Sequence, residues 1–197
     1  MGMSKIANPR QAQADIDPIF LERWSPRSYQ DRPVAAEDLK RVFEAARWAP
    51  SCYNEQPWLF LYTQEPALRT KVAASFAPTN QVWAQHAPVA GVIFGRRRFT
   101  HNDQDNAFHA FDAGAAAFAM SLQANRLGLG THLLGGFDPE PSYELFGVPR
   151  EDYVALAAFV MGHRGDPAAL PEEYQSREQP SARKALGSIA MEGRYQA

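Results

Sequence analysis

The chain has 197 residues, enough for one domain with a substantial core, and 45% hydrophobic against 21% charged residues is an ordinary globular balance. Its net charge of −2, from 20 basic and 22 acidic residues, argues against binding to a nucleic-acid backbone. One cysteine excludes an intrachain disulfide framework and fits a reducing cytosol, and no apolar run has the roughly 18 residues a membrane span needs.

Residues 1–18 lack the apolar core of a signal peptide and read as a flexible N-terminus. The first clear element is AAEDLKRVFEAARWA, where Leu39, Val42, Phe43 and Ala46 fall at helical spacing. Glu37 and Asp38 occupy a first turn that favours acids, and Pro50 ends the helix. WLFLYT (58–63) predicts a buried strand, PALRTKVAASF a second helix, NQVWAQHAP a further helical turn, and VAGVIFG (89–95) a second buried strand. The longest predicted helix runs from Asp105 to Leu127, with Phe108, Phe111, Ala115, Phe118 and Leu122 at intervals of three and four. Its AGAAAFA run (113–119) offers a small-residue surface where a second helix can pack closely, within one chain or across a dimer. Gly128 reads as that helix's C-cap, followed by a tight turn. DYVALAAFVMGH (152–163) contains a third strand, so strands separated by helices point to an α/β or α+β domain. From Gly165 the periodicity breaks, and a long tail follows that either wanders or embraces something.

Several constellations carry chemistry. Cys52 lies in WAPSCYNEQPW, but the five histidines (His86, His101, His109, His132, His163) form no catalytic signature around it, and a plain semi-buried thiol is the better reading. The same histidines make no metal site, because none sits at ligand spacing such as H-E-x-x-H. GLGTHLLGG (128–136) fails as a dinucleotide fingerprint: Leu133 holds the third glycine place and a helix, not a strand, precedes it. Gly135 and Gly136 either make a turn or bring backbone N–H groups close to a ligand; spacing alone does not choose. Arginine clusters at the two ends of the chain, Arg23 with Arg27 and Arg183 beside Lys184, are either solvated charges or converge on an anion. GRRRF reads as a basic loop after a strand.

RWSPRSY, APSCYNEQPW, Asn80 ahead of the Ala-Pro pair at 87–88, GLGTHLLGGFD, MGHRGD and SARKAL occur together and in this order. On these motifs the chain, over roughly residues 19–187, resembles the FMN-dependent nitroreductase family. The resemblance implies an α+β, three-layer α-β-α fold with a central, mostly antiparallel sheet flanked by helices. It implies one FMN-binding domain over 19–197, with an extended C-terminal arm from about residue 165 that wraps the partner subunit of a homodimer. FMN would lie at the subunit interface. By position, Arg23, Trp24 and Ser25 would bind the phosphate and ribityl chain, and Arg27 the pyrimidine edge. Pro50, Ser51, Cys52 and Asn54 would come from the partner, with Tyr53 toward the substrate. Asn80 would bind the pyrimidine edge, Leu133, Leu134, Gly135 and Gly136 would underlie the ring, and Arg183 would reach the phosphate.

The implied activity is NADH- or NADPH-driven, two-electron, ping-pong reduction of nitroaromatics, quinones or related acceptors, in the cytoplasm. The flavin supplies the redox chemistry, so no catalytic side chain is required, and a cation such as Arg27 stabilises the charge of the reduced ring. An enone or semialdehyde reductase or dehydrogenase on the same fold, or a non-catalytic FMN-binding protein, are the alternatives. Two positions depart from the family pattern: Trp83 stands where many relatives carry lysine, and Ser181 where some carry a second base, with Lys184 as its nearby substitute.

Overall fold

The computed structural model describes residues 7–195. A single turn, α1 (Ile19–Glu22), precedes α2 (Ala36–Arg47), and a 3-10 turn at Cys52–Asn54 leads into β1 (Trp58–Thr63). Then come α3 (Pro66–Ala74), α4 (Pro78–Ala84), β2 (Val89–Arg96), α5 (His109–Arg126), β3 (Leu129–Leu134), α6 (Glu140–Phe146), β4 (Tyr153–His163) and the short α7 (Glu172–Gln175). The four strands form one sheet in the order β1-β2-β4-β3, every neighbouring pair antiparallel.

Local chemistry sets these boundaries. Pro66 opens α3, and the Glu65 carboxylate caps it by accepting from the backbone N–H groups of Ala67 and Leu68. Gly128, at φ +75°, turns the chain out of α5 in the left-handed conformation that glycine adopts without strain.

Helices cover both faces of the sheet, as period-2 alternation along the central strands requires. Ala90, Val92 and Phe94 of β2 and Ala158 and Val160 of β4 face a core completed by Val72, Phe76, Trp83, Tyr143 and Tyr174 from α3, α4, α6, α7 and their flanks. Val89 and Ile93 of β2 and Phe159 and Met161 of β4 point the other way, into a core with Leu39, Val42 and Ala46 of α2 and Ala113, Ala116, Ala117 and Met120 of α5. The domain is therefore a three-layer α-β-α sandwich of the α+β class. Among the described residues no helix is long and apolar enough to cross a membrane.

Two sequence expectations are corrected, and the orientation of the long helix is settled. The segment after Gly128 is an edge strand, β3, paired with β4 from Leu129↔His163 to Leu134↔Ala158, where a tight turn was read. The long helix begins at His109; before it, Asp105 pairs with Arg98 in an isolated bridge. The phenylalanine stripe of α5 does not face the core: Phe111 is 78% exposed and Phe118 47%, while the alanine face packs inward against α2. Small side chains let α2 approach closely, so the close helix pairing anticipated at 113–119 occurs within the chain.

Candidate functional site

The site is built at the outer edge of β3. The segment 23–27 runs along this strand because Gly130 leaves room for it; a Cβ there would lie 2.3 Å from Cγ of Pro26. The Pro26 carbonyl accepts a hydrogen bond from Nδ1 of His132 at 2.9 Å, which fixes the imidazole as the Nδ1–H tautomer. His132 packs at a tilt against the buried Trp83 (centroids 4.6 Å apart), and the Arg27 guanidinium lies 5.9 Å from the same indole. Burial first, then the positive charge of Arg27 and Arg23, lowers the His132 pKa to about 4 against the raising effect of its Pro26 bond, so the ring is neutral at pH 7.

The tail returns to this edge. Glu178, buried, accepts at 2.9 Å from the backbone N–H groups of Arg27 and Ser28, which anchors the chain so that the residues after it face 23–27. Between them lies a cavity of about 620 Å³ whose walls carry Arg10, Arg23, Arg27, Arg177 and Arg183 and no acidic residue. Trp24, Ser25, His132 and Ser181 also line it, whereas Lys184 does not. Burial and the like charges of Arg183 and Arg164 lower the Arg23 pKa, as expected where cations crowd without counter-ions. Ser181 orients Arg183 by accepting from its Nη1 at 3.1 Å. The two arginine clusters thus do converge.

Asn80 and Gly136 meet beside β3: Asn80 Nδ2 donates to the Gly136 carbonyl at 3.2 Å, and that carbonyl also accepts from the Ala77 N–H at 2.9 Å. A Cβ at Gly136 would stand 3.2 Å from Asn80 Nδ2, so glycine permits the close approach. Gly135 is exposed with nothing near its Cα face. Leu133 is 40% exposed, but Leu134 turns into the core, so only its backbone is open to a ligand.

The remaining residues stand elsewhere. Pro50, Ser51, Cys52, Tyr53 and Asn54 precede β1, the opposite edge of the sheet, three strand spacings or about 14 Å from β3. Among the described residues no hydrogen bond, ion pair or ring contact links them to Arg23, Arg27, Asn80 or Gly136. This loop is stiff: Tyr53, Asn54 and Gln56 all have φ between 52° and 56°, uncommon for residues with a Cβ. Buried Asp112 of α5 holds it by accepting from the Cys52 N–H at 3.0 Å, and Ser51 Oγ accepts from the Gln56 N–H. Tyr53 is 80% exposed, edge-on to Phe99 at 5.8 Å.

Sequence reasoning missed Arg10, His132 and Asp112. Arg10 sits in the stretch read as a flexible terminus, Asp112 lies among apolar neighbours with no motif around it, and His132 lies inside the GLGTHLLGGFD motif, where only the leucines and glycines were given roles.

Comparison with known proteins agrees with the fold. The sequence model of the Nitroreductase family matches residues 21–87 and 76–163. An NADH dehydrogenase of Thermus thermophilus is 31% identical, over 87% of this chain and 95% of the relative. An FMN reductase [NAD(P)H] of Bacillus subtilis is 30% identical, over 81% of this chain and 72% of the relative. A crystal structure of an oxidoreductase containing FMN superimposes with a TM-score of 0.90 at 34% identity, covering 98% of this chain and 99% of that one. The chain belongs to the nitroreductase family.

Proposed function

We propose that this protein is an FMN-dependent oxidoreductase that takes electrons from NADH or NADPH and reduces nitroaromatics, quinones or related activated acceptors. The observation that carries the reading is the acid-free cavity of five arginines on the same strand edge as Asn80 and Gly136. A phosphate needs such guanidinium donors, and a flat polar ring edge needs the Asn80 amide and backbone that glycine leaves open. FMN offers both chemistries in one molecule: its phosphate suits the arginine-lined cavity, and its ring suits the edge beside Asn80 and Gly136. When bound, FMN supplies the two-electron redox chemistry, which no side chain here can supply.

The residues then divide the work. Arg23, Ser25 and Arg183 hold the phosphate and ribityl chain, and Trp24 forms the wall behind them. Arg27 is the cation nearest the pyrimidine edge, and it stabilises negative charge there. Trp83 replaces a lysine with an apolar surface under Arg27 and neutral His132, so one guanidinium does what two cations do in many relatives. Leu133 and the backbone of Leu134, Gly135 and Gly136 support the ring. Pro50, Ser51, Cys52 and Asn54 stand too far from this edge to act on the same ligand within one chain, which supports their coming from a partner subunit. The domain at 19–197 is thus half of a homodimer; the arm from about 165 packs on its own chain as far as Leu186, so the part of it that reaches the other copy lies beyond that residue. Tyr53, exposed on its stiff loop, faces the acceptor in a cleft that donor and acceptor use in turn. The single free thiol, Cys52, suits a cytoplasmic location.

Steady-state oxidation of NADH and of NADPH against a panel of nitroaromatics, quinones, enones and semialdehydes tests the acceptor class. Parallel double-reciprocal lines with nitroaromatics or quinones are expected. Turnover restricted to enones or semialdehydes would move the protein to that class, and a flavin that no nicotinamide reduces would make it a binding protein.

A further inference from the structure

The N-terminal segment reaches back to the arginine cavity. Arg10 donates through Nε to the Ser181 carbonyl at 2.8 Å and through Nη1 to the carbonyls of Leu21 at 2.9 Å and Arg23 at 2.6 Å. Three carbonyls from two distant parts of the chain therefore orient one planar group. A guanidinium has five N–H donors in a fixed fork. The Nε and Nη1 donors are spent, and Nη2 carries no partner among the described residues. This unspent end belongs to a side chain that lines the cavity beside Arg23 and Arg183. A few residues on, the Gln13 side-chain carbonyl accepts from the Leu186 N–H at 2.6 Å, so the N-terminal segment lies along the arm at two points.

The charge balance gives Arg10 a purpose. Burial and the like charges of Arg183 and Arg23 lower its pKa, and no carboxylate lines the cavity to offset that repulsion. Carbonyl dipoles hold the cation in place, but they are weak counter-charges compared with an anion. Such crowding without an acid persists where a bound dianion completes it.

We propose that Arg10 is a further phosphate-binding residue of this protein, presenting its Nη2 edge to the phosphate while its other donors tie the N-terminal segment to the arm. This deepens the FMN assignment and rests on it. Arg10 acts on the phosphate and not on the ring, so it discriminates FMN from riboflavin.

The test is binding of FMN and of riboflavin to the full chain stripped of flavin, followed by quenching of flavin fluorescence at low and at raised salt. Arg10→Ala is expected to weaken FMN by roughly ten- to hundredfold, with riboflavin nearly unchanged. Arg10→Lys, which keeps the charge without the fork, is expected to fall between, and the salt dependence of FMN binding should be shallower in Arg10→Ala than in wild type. The flavin-free melting temperature of each variant checks folding, and Arg10→Gln, which can still donate to the Ser181 carbonyl, replaces Arg10→Ala if the latter does not fold. Equal losses for FMN and riboflavin would reduce Arg10 to a strut and overturn the assignment, as would an unchanged FMN affinity. Wild-type protein that takes up neither flavin would overturn the functional reading itself, and the Arg10 assignment with it.

Discussion

At the scale of single residues, the site is a set of cations around a cavity that no acid lines and one imidazole kept neutral among them. His132 has the clearest solution signature. Its pKa is about 4 in the folded chain and near 6.5 unfolded, so unfolding takes up a proton between those values. The sign follows: stability from this group is fully present above pH ~6.5 and is lost as pH falls toward ~4, by at most about 3 kcal/mol. Urea midpoints measured from pH 8 to 4 should therefore fall more steeply in wild type than in His132→Gln, whose amide can still donate to the Pro26 carbonyl; parallel curves would contradict the buried neutral ring. Much of the site was legible at this scale only through motif order. RWSPRSY, Asn80 and the Gly135-Gly136 pair pointed to positions that lie together on one strand edge. Arg10 was not legible, because what makes it a site residue is its three carbonyl acceptors, two of them within 13 positions and the third 171 away.

At the scale of elements, strand and helix were readable where burial imposed a pattern. WLFLYT is β1 to the residue, and β2 and β4 are continuous apolar runs because both their faces are covered. β3 hid itself: it is an edge strand with two glycines nearby, and Gly130 is there for the approach of Pro26, not for a turn. α5 carries two stripes at helical spacing, and spacing alone did not say which faces the core. Alanines pack inward since α2 must come close, and the phenylalanines are left outside. The same closeness governs the sheet. At Gly91 in β2 a Cβ would lie 2.4 Å from the Leu61 carbonyl oxygen and 2.6 Å from the Phe159 ring, and the backbone contact cannot be relieved by a rotamer change. Gly91→Ala should cost roughly 3 kcal/mol. The check is a lower denaturant midpoint at unchanged slope; a shift under about 0.5 kcal/mol would show that the sheet has more give there than its geometry allows.

At the scale of the whole molecule, two facts share one explanation. The loop at 50–54 and the arginine cavity stand at opposite edges of one sheet, and α5 exposes Phe111 and Phe118. The proposed homodimer would account for both: a second copy would cover Phe111 and Phe118, and the 50–54 loop of one copy would meet the cavity of the other. Sedimentation velocity, followed in the protein band and in the flavin band near ~450 nm, reads assembly and cofactor together. The account predicts wild-type protein of twice the chain mass carrying one FMN per chain, and Phe111→Glu protein that sediments as a folded single chain and retains little FMN. A colourless wild-type protein that refuses added FMN, or a single chain that holds FMN as tightly as the dimer does, would contradict it.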